Sequence, residues 1–225
     1  MFIRRDNTLK WNWIGYSALI TLALVLLGIF VFDKPLFDLI NNPACNISMP
    51  DTTNGLCVAV LLLGKIFKWK VLLGFSVLSV IVFFLYKAFT NEYDFRYAFV
   101  KIKNSYVFYI FLSLIFASGL VKLLKVIIGR ARPMFADPVL FNMFSDSNAF
   151  QSMPSGHTTL GFAALVMIGM LFPRIKWATW SLAIIIAVSR IYIGAHWPTD
   201  VILGAFIGMV CADFAKALLK KINSK

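Results

Sequence analysis

"SLAIIIAVSRIYIGAHWPTDVILGAFIGMV", residues 181–210, decides the architecture. Two runs apolar enough to enter a bilayer flank a short break that contains Gly194 and Pro198. Proline suits the first turn of a new helix, so one helix ends near Gly194 and another starts near Trp197. Arg190, His196 and Asp200 lie at this break. A charged group deep in a span costs about 2.5–3.5 kcal/mol on insertion scales. Such groups are tolerated where they are wet, paired or put to use.

The rest of the chain has the same character. Of its 225 residues, 60% are hydrophobic and 14% are charged, and its mean hydropathy is +0.81. A soluble domain carries about 25% charged residues. The composition therefore predicts an integral membrane protein, all-α, with residues 1–225 forming a single domain. A span needs roughly 20 apolar residues. Six are expected, at 11–32, 69–89, 105–128, 157–172, 177–194 and 197–219. Residues 56–68 are too short to cross and read as an interfacial piece, and 90–104 reads as a polar loop. The basic start followed by a long apolar run reads as a retained first span rather than a cleaved signal.

Net charge is +12, from 22 Lys and Arg against 10 Asp and Glu. The basic residues are scattered among apolar runs, which speaks against nucleic acid as a partner. They group instead as Arg4, Arg5 and Lys10; Lys87, Arg96, Lys101 and Lys103; Arg174 and Lys176; and Lys216, Lys220, Lys221 and Lys225. With six spans all four groups fall on one side, so the positive-inside rule puts them, and both termini, in the cytoplasm. Trp11, Trp13, Trp177, Trp180 and Trp197 lie near span ends, as an aromatic belt requires. Cys45 and Cys57 share one loop. An oxidising compartment would favour a disulfide between them, and two free thiols are the alternative. Two histidines are too few for a His-rich metal site.

A second set of cations breaks the charge rule. Lys125, Arg130, Arg132 and Arg190, with His157 and His196, collect on the opposite side. The acids counted near them, Asp137, Asp146 and Asp200, are too few to neutralise them, and a bound anion would help. Three stretches carry this set. "KVIIGRARP" ends a helix and places Lys125 and Arg132 where a point charge and a planar fork can meet phosphate oxygens. Snorkelling side chains are the ordinary alternative. "PSGH" opens a helix at Ser155, Gly156 and His157, where free N–H groups attract anions. A plain capped helix is the alternative there. In the third stretch Asp200 follows His196 by four residues. A carboxylate on one imidazole nitrogen fixes the tautomer and frees the other nitrogen to attack. A helix-capping Asp beside a satisfied His is the alternative.

Taken together, Lys-x6-Arg-Pro (Lys125, Arg132, Pro133), Pro-Ser-Gly-His (Pro154 to His157) and Ser-Arg-x5-His-x3-Asp (Ser189, Arg190, His196, Asp200) resemble the three signature motifs of the type 2 phosphatidic acid phosphatase superfamily. They stand in the family's order, with no departure at the motif residues. The resemblance implies a six-helix membrane bundle that hydrolyses a phosphate monoester or diphosphate on a lipid head group. It implies His196 as nucleophile through a phosphohistidine, Asp200 orienting it and His157 as acid and then base. Lys125, Arg132, Arg190, Ser155 and Gly156 would bind the phosphate, with no metal or other cofactor. In a bacterium this predicts a multi-pass protein of the inner membrane with its site facing the periplasm. The candidate lipids are phosphatidate, phosphatidylglycerophosphate, undecaprenyl diphosphate and lipid A. The competing expectation is an anion or lipid-head-group transporter using the same cations, against which the absence of an internal repeat counts. A soluble vanadate-type haloperoxidase shares such a pocket, but the spans argue against it. Residues 33–68 and 134–153 are expected to set lipid choice, with 134–153 either a lid at the lipid surface or a plain connecting loop.

Overall fold

The computed structural model describes residues 2–4, 8–45, 52–90, 95–135 and 137–223, apart from the side chains of Phe95, Phe99 and Asn223. Arg5, Lys225 and part of the loop around Pro50 lie outside them. The described residues are helical, in the order α1 (Trp11–Val31), α2 (Asp33–Ile40), α3 (Gly55–Ile66), α4 (Trp69–Phe89), α5 (Phe95–Lys103), α6 (Tyr106–Ile128), α7 (Gly156–Leu171), α8 (Lys176–Tyr192) and α9 (Pro198–Asn223).

Five stretches among the described residues are long and apolar enough to cross a membrane: Trp11–Val31, Trp69–Phe89, Tyr106–Ile128, Pro173–Tyr192 and Pro198–Ile222. The expected fourth span, α7, has 16 residues, which at 1.5 Å per residue is about 24 Å against a core of roughly 30 Å. Its burial accounts for its length. Residues Thr158 to Met167 are all buried, and α4, α6, α8 and α9 surround it. A helix enclosed by protein is not obliged to match the bilayer, so its N-terminus can stop inside the bundle. By contrast α1 and α4 expose large apolar side chains such as Leu19, Phe30 and Phe75, as lipid-facing helices do.

Apolar burial gives little drive for helix association in lipid, so close backbone packing carries more of it. Gly204 and Gly208 of α9 supply that packing. A Cβ at Gly208 would fall 2.5 Å from the Thr159 carbonyl oxygen, and one at Gly204 would fall 2.9 Å from that of Ser155. This small-xxx-small pair packs the second and third turns of α9 against the start of α7.

The segment expected as a polar loop is largely helical, and so is the start of the polar stretch after the first span. Residues 95–103 form α5, whose Ala98 and Ile102 are buried four residues apart while Arg96 and Lys101 face outward. That i, i+4 stripe is the face by which α5 packs on α4 and α6. Asp33–Ile40 forms α2, which buries Asp33 and Phe37.

Candidate active site

The third stretch forms a tight corner. Gly194 has φ +69°, and the Ala195 and His196 amides turn back to the Arg190 carbonyl at 3.0 and 3.3 Å. Pro198 starts α9, and Asp200 reaches back to accept from the Trp197 amide at 2.9 Å. This is the third-residue half of a capping box. The capping reading and the catalytic reading of Asp200 are therefore compatible, since its remaining lone pairs face other groups.

His196 is buried, with Nδ1 3.6 Å from Asp200 Oδ2. Ser152 Oγ donates to that same oxygen at 2.5 Å and lies 3.5 Å from Nδ1. The carboxylate thus faces Nδ1 across a short gap and leaves Nε2 available. Burial, with help from Arg132 and Lys125, pushes the His196 pKa down to about 3 against the opposing pull of Asp200. Burial thus favours the neutral imidazole, the form with a free lone pair.

The first stretch ends α6 at Gly129, which is left-handed at φ 58°. A Cβ there would collide with the Asn142 backbone oxygen at 1.7 Å, so only glycine fits. Beyond it, the Ala131 amide donates to the Leu140 carbonyl and the Asn142 amide to that of Gly129. This pairing turns Arg130 into the protein. Lys125 Nζ donates to the carbonyls of Gln151 and Ser152. Arg132 donates to Asn148 O at 2.9 Å, Asn148 Oδ1 at 3.2 Å and Ala195 O at 3.3 Å. Burial lowers the Arg132 pKa, and the Asp200 charge opposes it.

The second stretch begins α7. The Ser155 amide donates to the Asp200 carbonyl at 3.0 Å, tying the two helix starts together. Gly156 lies beside Lys125, whose Cε would be 3.8 Å from a Cβ at that position. His157 Nε2 is 3.1 Å from the Gly64 carbonyl, an acceptor that requires a proton on Nε2. Arg190 reaches the same helix, donating to Val60 O at 3.1 Å and to Ser189 Oγ at 2.8 Å. Gly64 is close enough that a Cβ would fall 2.5 Å from Arg190 Nη1. Helix α3 thus roofs the site. Asn54 caps it through the Leu56 and Cys57 amides, and a Cys45–Cys57 disulfide anchors it.

Charge distribution separates these cations into two kinds. Lys125, Arg132 and Arg190 bond to neutral oxygens, and among the described residues none of them pairs with a carboxylate. Neutral acceptors fix a cation without cancelling its charge. Both histidines feel Lys125 and Arg132, and His157 also feels Arg190.

The PAP2 superfamily matches residues 106–224, over half the chain. The chain belongs to the PAP2 superfamily. It is 43% identical over 103 residues to the lipid A 1-phosphatase of Rhizobium johnstonii, covering 44% of this chain and 42% of that protein. It is 29% identical over 99 residues to the undecaprenyl-diphosphatase of Sulfolobus acidocaldarius, covering 43% and 47%. The chain spans less than half the length of these curated relatives. A crystal structure of a transmembrane PAP2-type phosphatidylglycerolphosphate phosphatase from Bacillus subtilis shares the fold at TM-score 0.59 and 19% identity, covering 93% of this chain and 96% of that one. The apolar helices and these relatives make the chain a multi-pass membrane protein.

Within this PAP2 chain the structure also uses residues that sequence reasoning passed over. Arg130 was counted among the cations awaiting an anion, but it is paired inside the protein with two carboxylates, Asp33 and Asp200. Asp33 was missed although a signal existed: an acid directly after an apolar span must be paired or wet. Gly64 had no signal, because it contributes a backbone carbonyl. Asp33 and Gly64 both lie outside the matched stretch.

Proposed function

We propose that the chain is a lipid phosphatase, a single membrane domain over residues 1–225 that hydrolyses a phosphate monoester or diphosphate on a lipid head group. The observation that supports this most is the triad of cations held by neutral oxygens around two histidines. An anion placed between the histidines would meet uncancelled positive charge, and a phosphoryl group has both the charge and the size for it.

His196 Nε2 attacks phosphorus. The P–N bond forms as the P–O bond to the lipid breaks, and the electron pair leaves with that oxygen. Protonated His157 supplies its proton. Neutral His157 then takes a proton from water, the water oxygen attacks phosphorus, and the P–N pair returns to His196 as phosphate departs. With a diphosphate the leaving group is the lipid monophosphate. Lys125, Arg132 and Arg190 hold the non-bridging oxygens, and Ser155 with the Gly156 amide adds donors at the start of α7. Phosphoryl transfer relies on positioning and charge stabilisation of this kind.

In this reading α7 makes a sixth crossing inside the bundle, both termini are cytoplasmic, and the site opens to the periplasm of an inner membrane. Acyl or prenyl chains stay in lipid while the head group enters. The loop 134–153 lies at that mouth with Phe135, Met143 and Phe144 exposed, and acts as the lid. Residues 33–68, which include α3, share in lipid choice. The relatives' names make lipid A, undecaprenyl diphosphate and phosphatidylglycerolphosphate the first substrates to try, with phosphatidate beside them.

The test is phosphate release by purified protein from these four lipids in mixed micelles, with His196→Ala as control. Release from at least one lipid, lost in His196→Ala, is expected. A wild type that binds these lipids and never releases phosphate would favour the transporter reading.

A further inference from the structure

Behind Asp200 lies a chain of charges. Asp200 Oδ1 accepts from Arg130 Nη1 at 2.8 Å. Arg130 Nη2 donates to Asp33 Oδ2 at 2.5 Å. Thr199 closes the ring: its amide donates to Asp33 Oδ1 at 2.9 Å, and its hydroxyl donates to Asp33 Oδ2 at 2.6 Å while accepting from Arg130 at 2.7 Å. Pro138 O takes the other Arg130 donors. A guanidinium has five N–H donors, so Arg130 has none left for substrate. Its face lies 5.7 Å from the ring centres of Phe141 and Trp197. Asp33, Arg130 and Asp200 all have 0% exposure.

Two of these charges alone would defeat the site. Asp200 serves His196 by being negative as the ring gains positive charge on phosphorylation. A buried arginine paired with Asp200 would cancel that charge at the point of use. We propose that Asp33 is a positioning residue for the nucleophile: by neutralising Arg130 it leaves Asp200 its full negative charge toward His196, while Arg130 and Thr199 hold that carboxylate in place. The buried set carries a net charge of −1 with Asp33 and 0 without it. The inference rests on the phosphatase reading.

The test uses the purified full-length protein and the best lipid from the panel. Asp33→Asn, nearly isosteric, is expected to lower kcat by about 30-fold or more with KM within about threefold, since no phosphate contact is removed. Adding Arg130→Gln restores the net charge to −1, and part of the lost kcat should return. A merely structural role predicts the reverse, with the double variant at least as slow as the single one. Should Asp33→Asn not fold, Arg130→Gln is compared with the double variant. With no cation left to offset, removing the Asp33 charge should cost no further kcat, and a clear further loss in the double variant would overturn the proposal. Wild-type kcat in Asp33→Asn, or a double variant no faster than the single, overturns this inference alone. A wild type inactive on every lipid overturns the phosphatase reading and this inference with it.

Discussion

The two histidines are held by different kinds of structure. His196 is backed by buried side chains, with Asp200 and Ser152 at its ring and Arg130, Thr199 and Asp33 behind them. His157 is met by a backbone carbonyl, Gly64 O, on a short helix anchored by a disulfide. A charged side-chain network can stabilise positive charge on a ring. A neutral carbonyl can fix where a proton sits, yet it does little to make the ring cationic. The difference matches the proposed division of labour, in which one imidazole bonds to phosphorus and the other moves protons.

Substitutions on the two sides should therefore fail differently. The largest effect is expected from Asp200→Asn, which removes the charge facing Nδ1: kcat for phosphate release should fall on the order of 10⁴-fold, with no labelled phosphohistidine trapped on an alkaline denaturing quench, in which the P–N bond survives. His157→Ala comes next. General acid–base catalysis contributes about 10²–10⁴-fold, and an aryl phosphate, whose leaving group needs no proton, should still phosphorylate His196 and let the intermediate accumulate. If both variants trap the intermediate equally, the division of labour is wrong.

Gly64→Ala is smaller. Its new methyl collides with Arg190 Nη1, so α3 or the guanidinium must shift, and misplacement of about 1 Å can cost up to roughly 100-fold in kcat/KM. A drop of about 10-fold or more, with unchanged thermal stability, is expected. The smallest effect belongs to Cys45→Ala with Cys57→Ala. The cysteines are 12 residues apart, a loop whose closure stabilises by about 2–3 kcal/mol. A lower Tm should accompany a few-fold fall in kcat/KM, because α3 keeps its Asn54 cap. If loss of the disulfide lowers activity as much as Asp200→Asn does, the roof matters to the nucleophile as well and the contrast fails.

Much of this was legible beforehand, for identifiable reasons. Helices that face lipid announce themselves by apolar length, as 11–31 and 69–89 do. The candidate site residues in the second half lie in three short stretches, so the resemblance could name Lys125, Arg132, Ser155, Gly156, His157, Arg190, His196 and Asp200, and the structure brings those stretches together. Helices α2 and α5 were less visible, because a half-exposed helix of eight or nine residues mixes polar and apolar positions as a loop does. The second set of cations was assigned as a whole to an anion, whereas Arg130 spends its charge inside the protein on Asp33 and Asp200.

By itself the sequence determined the membrane class, the placement of most spans and the identity of the chemical groups, because hydropathy and motif spacing are local properties. Tertiary structure decided which cation is neutralised and which stays available. It also decided that Asp33, 97 residues from Arg130 in the chain, pairs with that arginine behind Asp200 and His196, and that the carbonyl of Gly64 meets His157 across 93 residues. Coulomb and hydrogen-bond partners are chosen by distance in space. A backbone carbonyl is the same at every residue, so only the packing of α3, α7 and α9 could single these partners out.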